Sequence, residues 1–243
     1  MKKRLLPFYN ERKAKIDMIV LHCQSYGVED AINVFMQREV SAHYLIDEKG
    51  EIWNLVDEKY RAWHAGVSFW RGIEDINSHS IGIELCSKTM GQKRYSLQQK
   101  NSLIFLLETL VKKYDILPYN IVGHSDIAPN RKVDPGKEFF WRYLAKKGFG
   151  FWYDKKKADN IINCKEENLL EEIGFDIKDL DASRLAFCRH FIPKSIVEDK
   201  DIMNMEKNIT KNAKEFVVPD NYFEVLQNIA QQYARASRNP CKI

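Results

Sequence analysis

The sequence predicts an α/β protein, with a central mixed β-sheet flanked by helices and followed by a small helical domain. Three observations lead there. Apolar runs of strand length at residues 16–22, 42–46, 52–56 and 80–85 are interleaved with segments at 28–38 and 96–114 whose apolar residues recur at helical spacing. A lysine cluster, Lys155-Lys156-Lys157, then opens a solvated connection. Beyond it lie three short helical patterns, which divide the chain into a first domain at 1–150, a linker at 151–165 and a helical domain at 166–240.

Composition narrows the classes. Hydrophobic residues at 44% and charged residues at 30% suit a globular protein, and no run approaches the roughly 20 apolar residues of a membrane helix, so no membrane span is expected. The N-terminus, Met1-Lys2-Lys3-Arg4-Leu5-Leu6-Pro7, starts basic but lacks an apolar stretch of signal-peptide length, and ordinary export is not expected. Cys23, Cys86, Cys164, Cys188 and Cys241 are odd in number and lack Cys-x-x-Cys spacing, which predicts reduced thiols rather than a disulfide framework. Of the net charge of +4, residues 151–243 contribute 15 basic against 16 acidic groups, leaving 23 against 18 before them. A mildly basic first part suits an anionic polymer such as a cell wall. It falls far short of the dense Lys/Arg stripe of a nucleic-acid binder, so no nucleic acid is expected as a partner.

In chain order, Asp17–His22 reads as a buried strand ending in a histidine, and Val28–Arg38, with Ala31, Ile32, Phe35 and Met36 at helical spacing, as the helix after it. Residues 42–46 and 52–56 flank Asp47-Glu48-Lys49-Gly50-Glu51, whose glycine can supply a positive φ, and predict a β-hairpin. His43 within it reads as a packed structural residue. Ser80–Leu85 is a short apolar strand carrying one carboxylate, Glu84, which is costly to bury without water, a cation or a metal-bound ligand beside it. Ser96-Leu97-Gln98-Gln99 has capping-box spacing and opens a helix whose stripe of Leu103, Leu106, Leu107, Leu110, Val111 and Tyr114 is closed by Pro118. Glu138–Lys147 reads as the last helix of the first domain. In the helical domain, Leu169, Leu170 and Ile173 stop at Gly174, Asp181 reads as an N-cap before Leu185, Phe187 and Phe191, and Tyr222, Leu226, Ile229 and Tyr233 follow Asp220. Ile196–Val218 carries no pattern and reads as a polar insert.

The chemistry concentrates in Gly123-His124-Ser125-Asp126-Ile127-Ala128-Pro129-Asn130-Arg131-Lys132-Val133-Asp134-Pro135-Gly136, a proline-punctuated loop. His124 and Asp134 offer donor atoms suited to zinc, and a catalytic zinc needs a third ligand and an open position. His22 is the best candidate for the third, although a lone histidine beside an apolar run is ordinarily a satisfied core residue. Between Tyr60 and Asn77 a second loop collects Trp63-His64-Ala65-Gly66, Phe69 and Trp70-Arg71. Aromatic faces stack on sugars or peptides and an arginine fork clamps a carboxylate, which makes Trp63, His64 and Arg71 candidate substrate contacts. A surface loop tied down by its own aromatics is the alternative.

Together and in this order, His22, Ser80-Ile81-Gly82-Ile83-Glu84-Leu85 and the 123–136 loop resemble the AmpD/AmiD-like zinc-dependent N-acetylmuramoyl-L-alanine amidases, over roughly residues 15–150. The resemblance implies a peptidoglycan-recognition-like sheet and one zinc held by His22, His124 and Asp134. It implies Glu84 as general base facing a zinc-bound water, Lys132 beside the developing oxyanion, and Arg71 meeting a stem-peptide carboxylate. The implied substrate is the amide between N-acetylmuramic acid, or its anhydro form, and L-alanine in peptidoglycan or a muropeptide. Leu169–Pro193, especially Gly174-Phe175-Asp176 and Ala186-Phe187-Cys188-Arg189-His190-Phe191, resembles a three-helix peptidoglycan-binding domain, implying that residues 166–240 hold polymer while residues 1–150 cut it.

Two departures from the family pattern stand out. Cys23-Gln24-Ser25 follows the first ligand where an aromatic, Asn or Thr is common, and Asn130 replaces a common loop glycine. Cys23 alternates away from His22 and Asn tolerates a left-handed backbone, so altered packing with retained activity is expected. Two other functions compete. A non-catalytic peptidoglycan-recognition module is opposed by the complete set of ligand types, and a zinc peptidase acting within the stem peptide lacks a His-Glu-x-x-His motif. A polymer-holding domain favours the cell envelope, whereas the missing signal favours the cytoplasm.

Overall fold

A computed structural model describes residues 1–24, 27–157, 164–197 and 206–238. Ser25, Cys241, residues 158–163 of the expected linker and residues 198–205 of the expected insert lie outside the described residues. The main sheet contains β1 (Lys2–Lys3), β3 (Met18–Gln24), β4 (Tyr44–Ile46), β5 (Ile52–Asn54), β7 (Ser80–Cys86) and β8 (Ile121–Gly123), in the spatial order β1-β5-β4-β7-β3-β8. A small antiparallel pair, β2 (Tyr9–Glu11) and β6 (Tyr60–Ala62), lies apart from it. The predicted hairpin is β4 against β5, with Gly50 at positive φ in its turn. β4, β7, β3 and β8 run parallel, so the sheet is mixed as expected.

β3 is buried along its whole length because both faces of the sheet are covered. Alternation along the strand separates the two faces. Ile19, Leu21 and Cys23 pack with Leu103, Leu106, Leu107 and Leu110 of α3 (Leu97–Tyr114). That helix starts at the predicted capping box, with the Gln99 N–H donating to Ser96 Oγ at 3.1 Å and the Ser96 N–H to Gln99 Oε1 at 3.2 Å. The opposite face is shared. α1 (Val28–Arg38) lays Ala31, Ile32 and Phe35 over Leu45, Leu55 and Cys86, while the C-terminal helices cover Met18, Val20 and Val122. Between these two covers the C-terminal ends of β3 and β7 open into a cleft.

Among the described residues, the C-terminal helices α6 (Glu166–Ile173), α7 (Leu180–Phe191), α8 (Ile209–Glu215) and α9 (Tyr222–Arg238) do the second half of that covering. Their core runs without a break from Leu170, Phe175, Phe187, Leu226 and Tyr233 into Met18, Val20, Trp70 and Ile127. Residues 151–154 differ from a solvated linker. Phe151, Trp152 and Tyr153 pack on this core, Asn228 exchanges hydrogen bonds with the Asp154 backbone at 2.9 and 3.1 Å, and Gln232 donates to the Trp152 carbonyl at 3.0 Å. Moving the apolar surface of the three rings from water onto the helices is favourable, which overrides the signal of the lysines that follow.

Three local expectations also shift. α7 is capped by Asp179, which accepts from the Ala182 N–H at 3.1 Å, while Asp181 sits inside the first turn and pairs with Arg184 at 2.7 Å. The helix expected at 138–147 is α5 (Trp141–Lys146), with Phe139 and Phe140 buried in the loop before it. α8 arises inside the segment read as patternless, because only Ile209 and Ala213 of its seven residues turn inward.

The shared core predicts the outcome of truncation. A fragment ending at residue 150 exposes Met18, Val20, Trp70 and Val122, and burying one large apolar side chain contributes about 1.5–3 kcal/mol against a total margin of about 5–15 kcal/mol. Such a fragment is expected to lose its cooperative thermal transition. A sharp melt at the full-length temperature, followed by circular dichroism, would contradict the shared core.

Candidate active site

His22 and Glu84 are direct partners across the parallel strands β3 and β7, so their side chains leave the same face of the sheet at the mouth of the cleft. β8 then hands the chain to a single-turn helix, α4 (His124–Ile127), which starts with the second histidine. The Ser125 N–H donates to the Asp134 carbonyl at 2.9 Å and folds the rest of the loop back beneath it. His22, His124 and Asp134 are all buried. His22 Nδ1 lies 3.0 Å from His124 Nδ1 and 3.3 Å from Asp134 Oδ2, and His124 Nδ1 lies 3.2 Å from the same oxygen.

Hydrogen bonds at the far side of each ring fix which nitrogen faces that centre. The Ala65 carbonyl, 3.1 Å from His124 Nε2, can only accept, so the proton sits on Nε2 and the Nδ1 lone pair is free. Ser80 Oγ donates to the Ile76 carbonyl at 2.6 Å and therefore accepts from His64 Nε2 at 3.2 Å, which leaves His64 Nδ1 to accept from His22 Nε2 at 3.0 Å. His22 thus also presents the Nδ1 lone pair. The His64 ring reaches this position because Gly82 has no side chain: a Cβ there would lie 2.4 Å from the imidazole. Burial, then the neighbouring His22 and His43, push the His64 pKa far below its ordinary value and keep the relay neutral.

Two imidazole lone pairs and a carboxylate at mutual contact fit one cation. A tetrahedral zinc bonded at about 2.0–2.1 Å has donor–donor edges of roughly 3.3–3.4 Å, close to the separations seen here. Burial and the adjacent His124 lower the His22 pKa to about 4, and although burial alone would raise that of Asp134, the two imidazoles hold it well below the usual carboxylate range. Both groups are therefore held in the metal-binding protonation state at neutral pH. Glu84 lies in the same pocket with the opposite shift. Burial first, then Asp134, raise its pKa to about 8, partly offset by Lys132, and among the described residues its buried Oε2 has no hydrogen-bond partner. The cavity of about 640 Å³ around these groups is also lined by Trp63, Arg131, Lys132 and Glu206.

This arrangement sits within residues 12–137, which match the N-acetylmuramoyl-L-alanine amidase family. The chain belongs to that family. It is 34% identical to the N-acetylmuramoyl-L-alanine amidase AmiD of Escherichia coli K12 over 209 residues, covering 74% of this chain and 76% of the relative. It is 45% identical over 102 residues to the 1,6-anhydro-N-acetylmuramyl-L-alanine amidase AmpD of Enterobacter cloacae, 42% of this chain and 54% of that relative. The solved complex of E. coli AmiD with anhydro-N-acetylmuramic acid-L-Ala-D-γ-Glu-L-Lys superposes with a TM-score of 0.72 at 28% identity, over 93% of each chain.

The amidase pocket collects most of the residues singled out from the sequence and rejects one. His22, His124, Asp134, Glu84, Lys132, Trp63 and His64 all border it. Trp63 is half-buried at its wall, with Nε1 held by Asn10 Oδ1 at 3.0 Å. His64 borders the cavity but spends both ring nitrogens on His22 and Ser80, so it orients the His22 ring and has no ring nitrogen left for a substrate. Arg71 lies outside the pocket. Its guanidinium donates to the carbonyls of Glu172 at 2.7 Å and Ile173 at 2.9 Å and to Ser237 Oγ at 2.8 Å, because the loop after Trp70 turns away under α6 and α9. The guanidiniums that do line the pocket are those of Arg38 and Arg131, the latter tying the carbonyls of Ala65 and Val67 to the metal-type loop.

His43 is the packed residue expected, buried and accepting from the Gly82 N–H at 3.0 Å. Cys23 faces α3 as alternation required, and Cys23, Cys86, Cys164 and Cys188 are free thiols among the described residues. Asn130 does not adopt a positive φ, so its exchange for glycine makes no special backbone demand. Ser80, Arg131 and Glu206 went unseen in the sequence. Only Arg131 had a signal, its place inside the charged loop. Glu206 reaches Lys132 Nζ at 3.1 Å from the segment before α8.

Proposed function

We propose that this amidase is a zinc enzyme that hydrolyses the amide joining N-acetylmuramic acid, or its anhydro form, to L-alanine of a peptidoglycan stem peptide. The observation that carries the reading is the convergence of three buried donor atoms beside the unpartnered carboxylate oxygen of Glu84. His22, His124 and Asp134 hold the ion. Zinc, when bound, polarises a carbonyl and acidifies a water, which are the two needs of amide hydrolysis.

The chain's own groups do the rest. Glu84 takes a proton from the attacking water and returns it to the departing amine, a role suited to a carboxylate whose pKa has been moved towards neutrality. Lys132 brings an ammonium to the developing oxyanion, and Glu206 holds that ammonium at the pocket rim. Trp63 offers an aromatic face to the sugar or peptide. The likeness to AmiD, solved with anhydro-N-acetylmuramic acid-L-Ala-D-γ-Glu-L-Lys, covers 93% of this chain and supports a muropeptide of that kind as substrate. A polymer-holding role for residues 166–240 would place the enzyme at the cell envelope.

The test is to incubate the zinc-loaded full chain with soluble anhydro-muropeptide and with intact sacculi, and to identify products by mass spectrometry. Release of stem peptide beginning with L-alanine, with the sugar intact, is expected from both. Cuts within the peptide would make it a peptidase, and binding without products a recognition module. Turnover of fragments alone would assign it to cytoplasmic recycling.

A further inference from the structure

α7 ends directly behind the metal-type loop. Its penultimate residue, His190, is buried and donates from Nδ1 to Asp126 Oδ2 at 2.8 Å. The same carboxylate oxygen accepts from the Gly123 N–H at 2.7 Å, so it fixes the backbone immediately before His124. Asp126 is fully enclosed, and among the described residues its other oxygen has no partner and His190 is the side-chain donor that sets its orientation. The imidazole is itself held flat against Trp141, with ring centroids 3.9 Å apart and planes at 19°, and Trp141 packs on Gly123. Arg189, next to His190, is buried with Nε and Nη1 unpartnered among the described residues, and its charge acts on both Asp126 and Asp134.

We propose that His190 is a positioning residue for the metal centre, so that the C-terminal helical unit completes the active site as well as covering the sheet. The inference rests on the zinc reading of His22, His124 and Asp134. Removing the His190 N–H frees the Asp126 carboxylate to rotate, releases the Gly123 N–H and loosens the aim of His124. Partners of this kind, one bond removed from the ligands, typically alter metal affinity or activity by about 10–100-fold.

Two full-length variants separate the hydrogen bond from the packing. His190→Phe keeps the ring on Trp141 and removes the donor, while His190→Asn keeps an N–H at the Nδ1 position and removes most of the ring. Zinc affinity by chelator competition, kcat and KM on soluble muropeptide, and melting of the metal-free protein are measured for each. His190→Phe is expected to melt somewhat below wild type, since Asp126 stays buried with one donor fewer, to bind zinc about 10–100-fold more weakly and to lose kcat with KM little changed. His190→Asn is expected to retain zinc affinity and kcat even if its melting temperature falls. The reverse ranking, or wild-type zinc affinity in His190→Phe, overturns the proposal while leaving the zinc reading intact. Failure of the wild-type protein to bind one zinc overturns both.

Discussion

Glu84→Gln is expected to leave zinc binding and fold in place while lowering turnover about 10²–10⁴-fold, the usual worth of general acid–base assistance. The amide has the shape of the carboxyl group but cannot take a proton. Stability should move the other way. The folded-state pKa of Glu84 is raised from 4.5 to about 8, so in the metal-free protein its contribution is fully present below the unfolded value and is lost as pH rises towards and through 8. Glu84→Gln removes that loss. The metal-free variant should therefore gain on wild type between pH 5 and 8, by on the order of a few kcal/mol at the upper end. Bound zinc, a cation beside the carboxylate, opposes the shift and should shrink the gain. Wild-type turnover in the variant would remove Glu84 from the mechanism, and a variant with no pH-dependent gain would mean that the carboxylate is solvated rather than enclosed.

His124→Ala is expected to reduce zinc affinity by more than about 100-fold, beyond the range for a partner outside the ligand set, and to abolish amide hydrolysis with it. The loss should not be shared by every histidine in the pocket. His64→Ala removes only the group that orients His22, so weakened but measurable zinc binding is expected, and His43→Ala should act through stability, since His43 braces the Gly82 backbone. Metal analysis after dialysis and rates on soluble muropeptide rank the three. Full zinc occupancy and activity in His124→Ala would make the ligand assignment wrong.

The parts of this molecule legible in its sequence were those whose signal is local. The capping box at Ser96 and Gln99, the turn at Gly50 and the alternation that sends Cys23 away from His22 depend on neighbours along the chain, and each lies where it was expected; the 123–136 loop likewise brings His124 and Asp134 together. What escaped depends on packing between distant segments. Arg71 has the composition of a carboxylate clamp, but its direction is set by the helices that cap it more than 100 residues later. Phe151, Trp152 and Tyr153 precede a lysine run that resembles a linker, yet they pack on the helical core, with Phe151 against Tyr233 of α9 and Trp152 against Phe191 of α7. Glu206 carries no motif, and His190 lies in a stretch, 186–191, whose resemblance points to polymer binding and not to the metal-type loop. Their meaning comes from Lys132 and Asp126 across the fold, at sequence separations of 74 and 64 residues.

The central claim is that His22, His124 and Asp134 form one zinc site, and anomalous diffraction from crystals of the full chain, recorded at the zinc edge, tests it most directly. A single peak is predicted in contact with His22 Nδ1, His124 Nδ1 and Asp134 Oδ2, and within reach of a water facing Glu84. A zinc-replete protein whose peak lies elsewhere, whether on His64, on His190 or at the surface, would contradict the account.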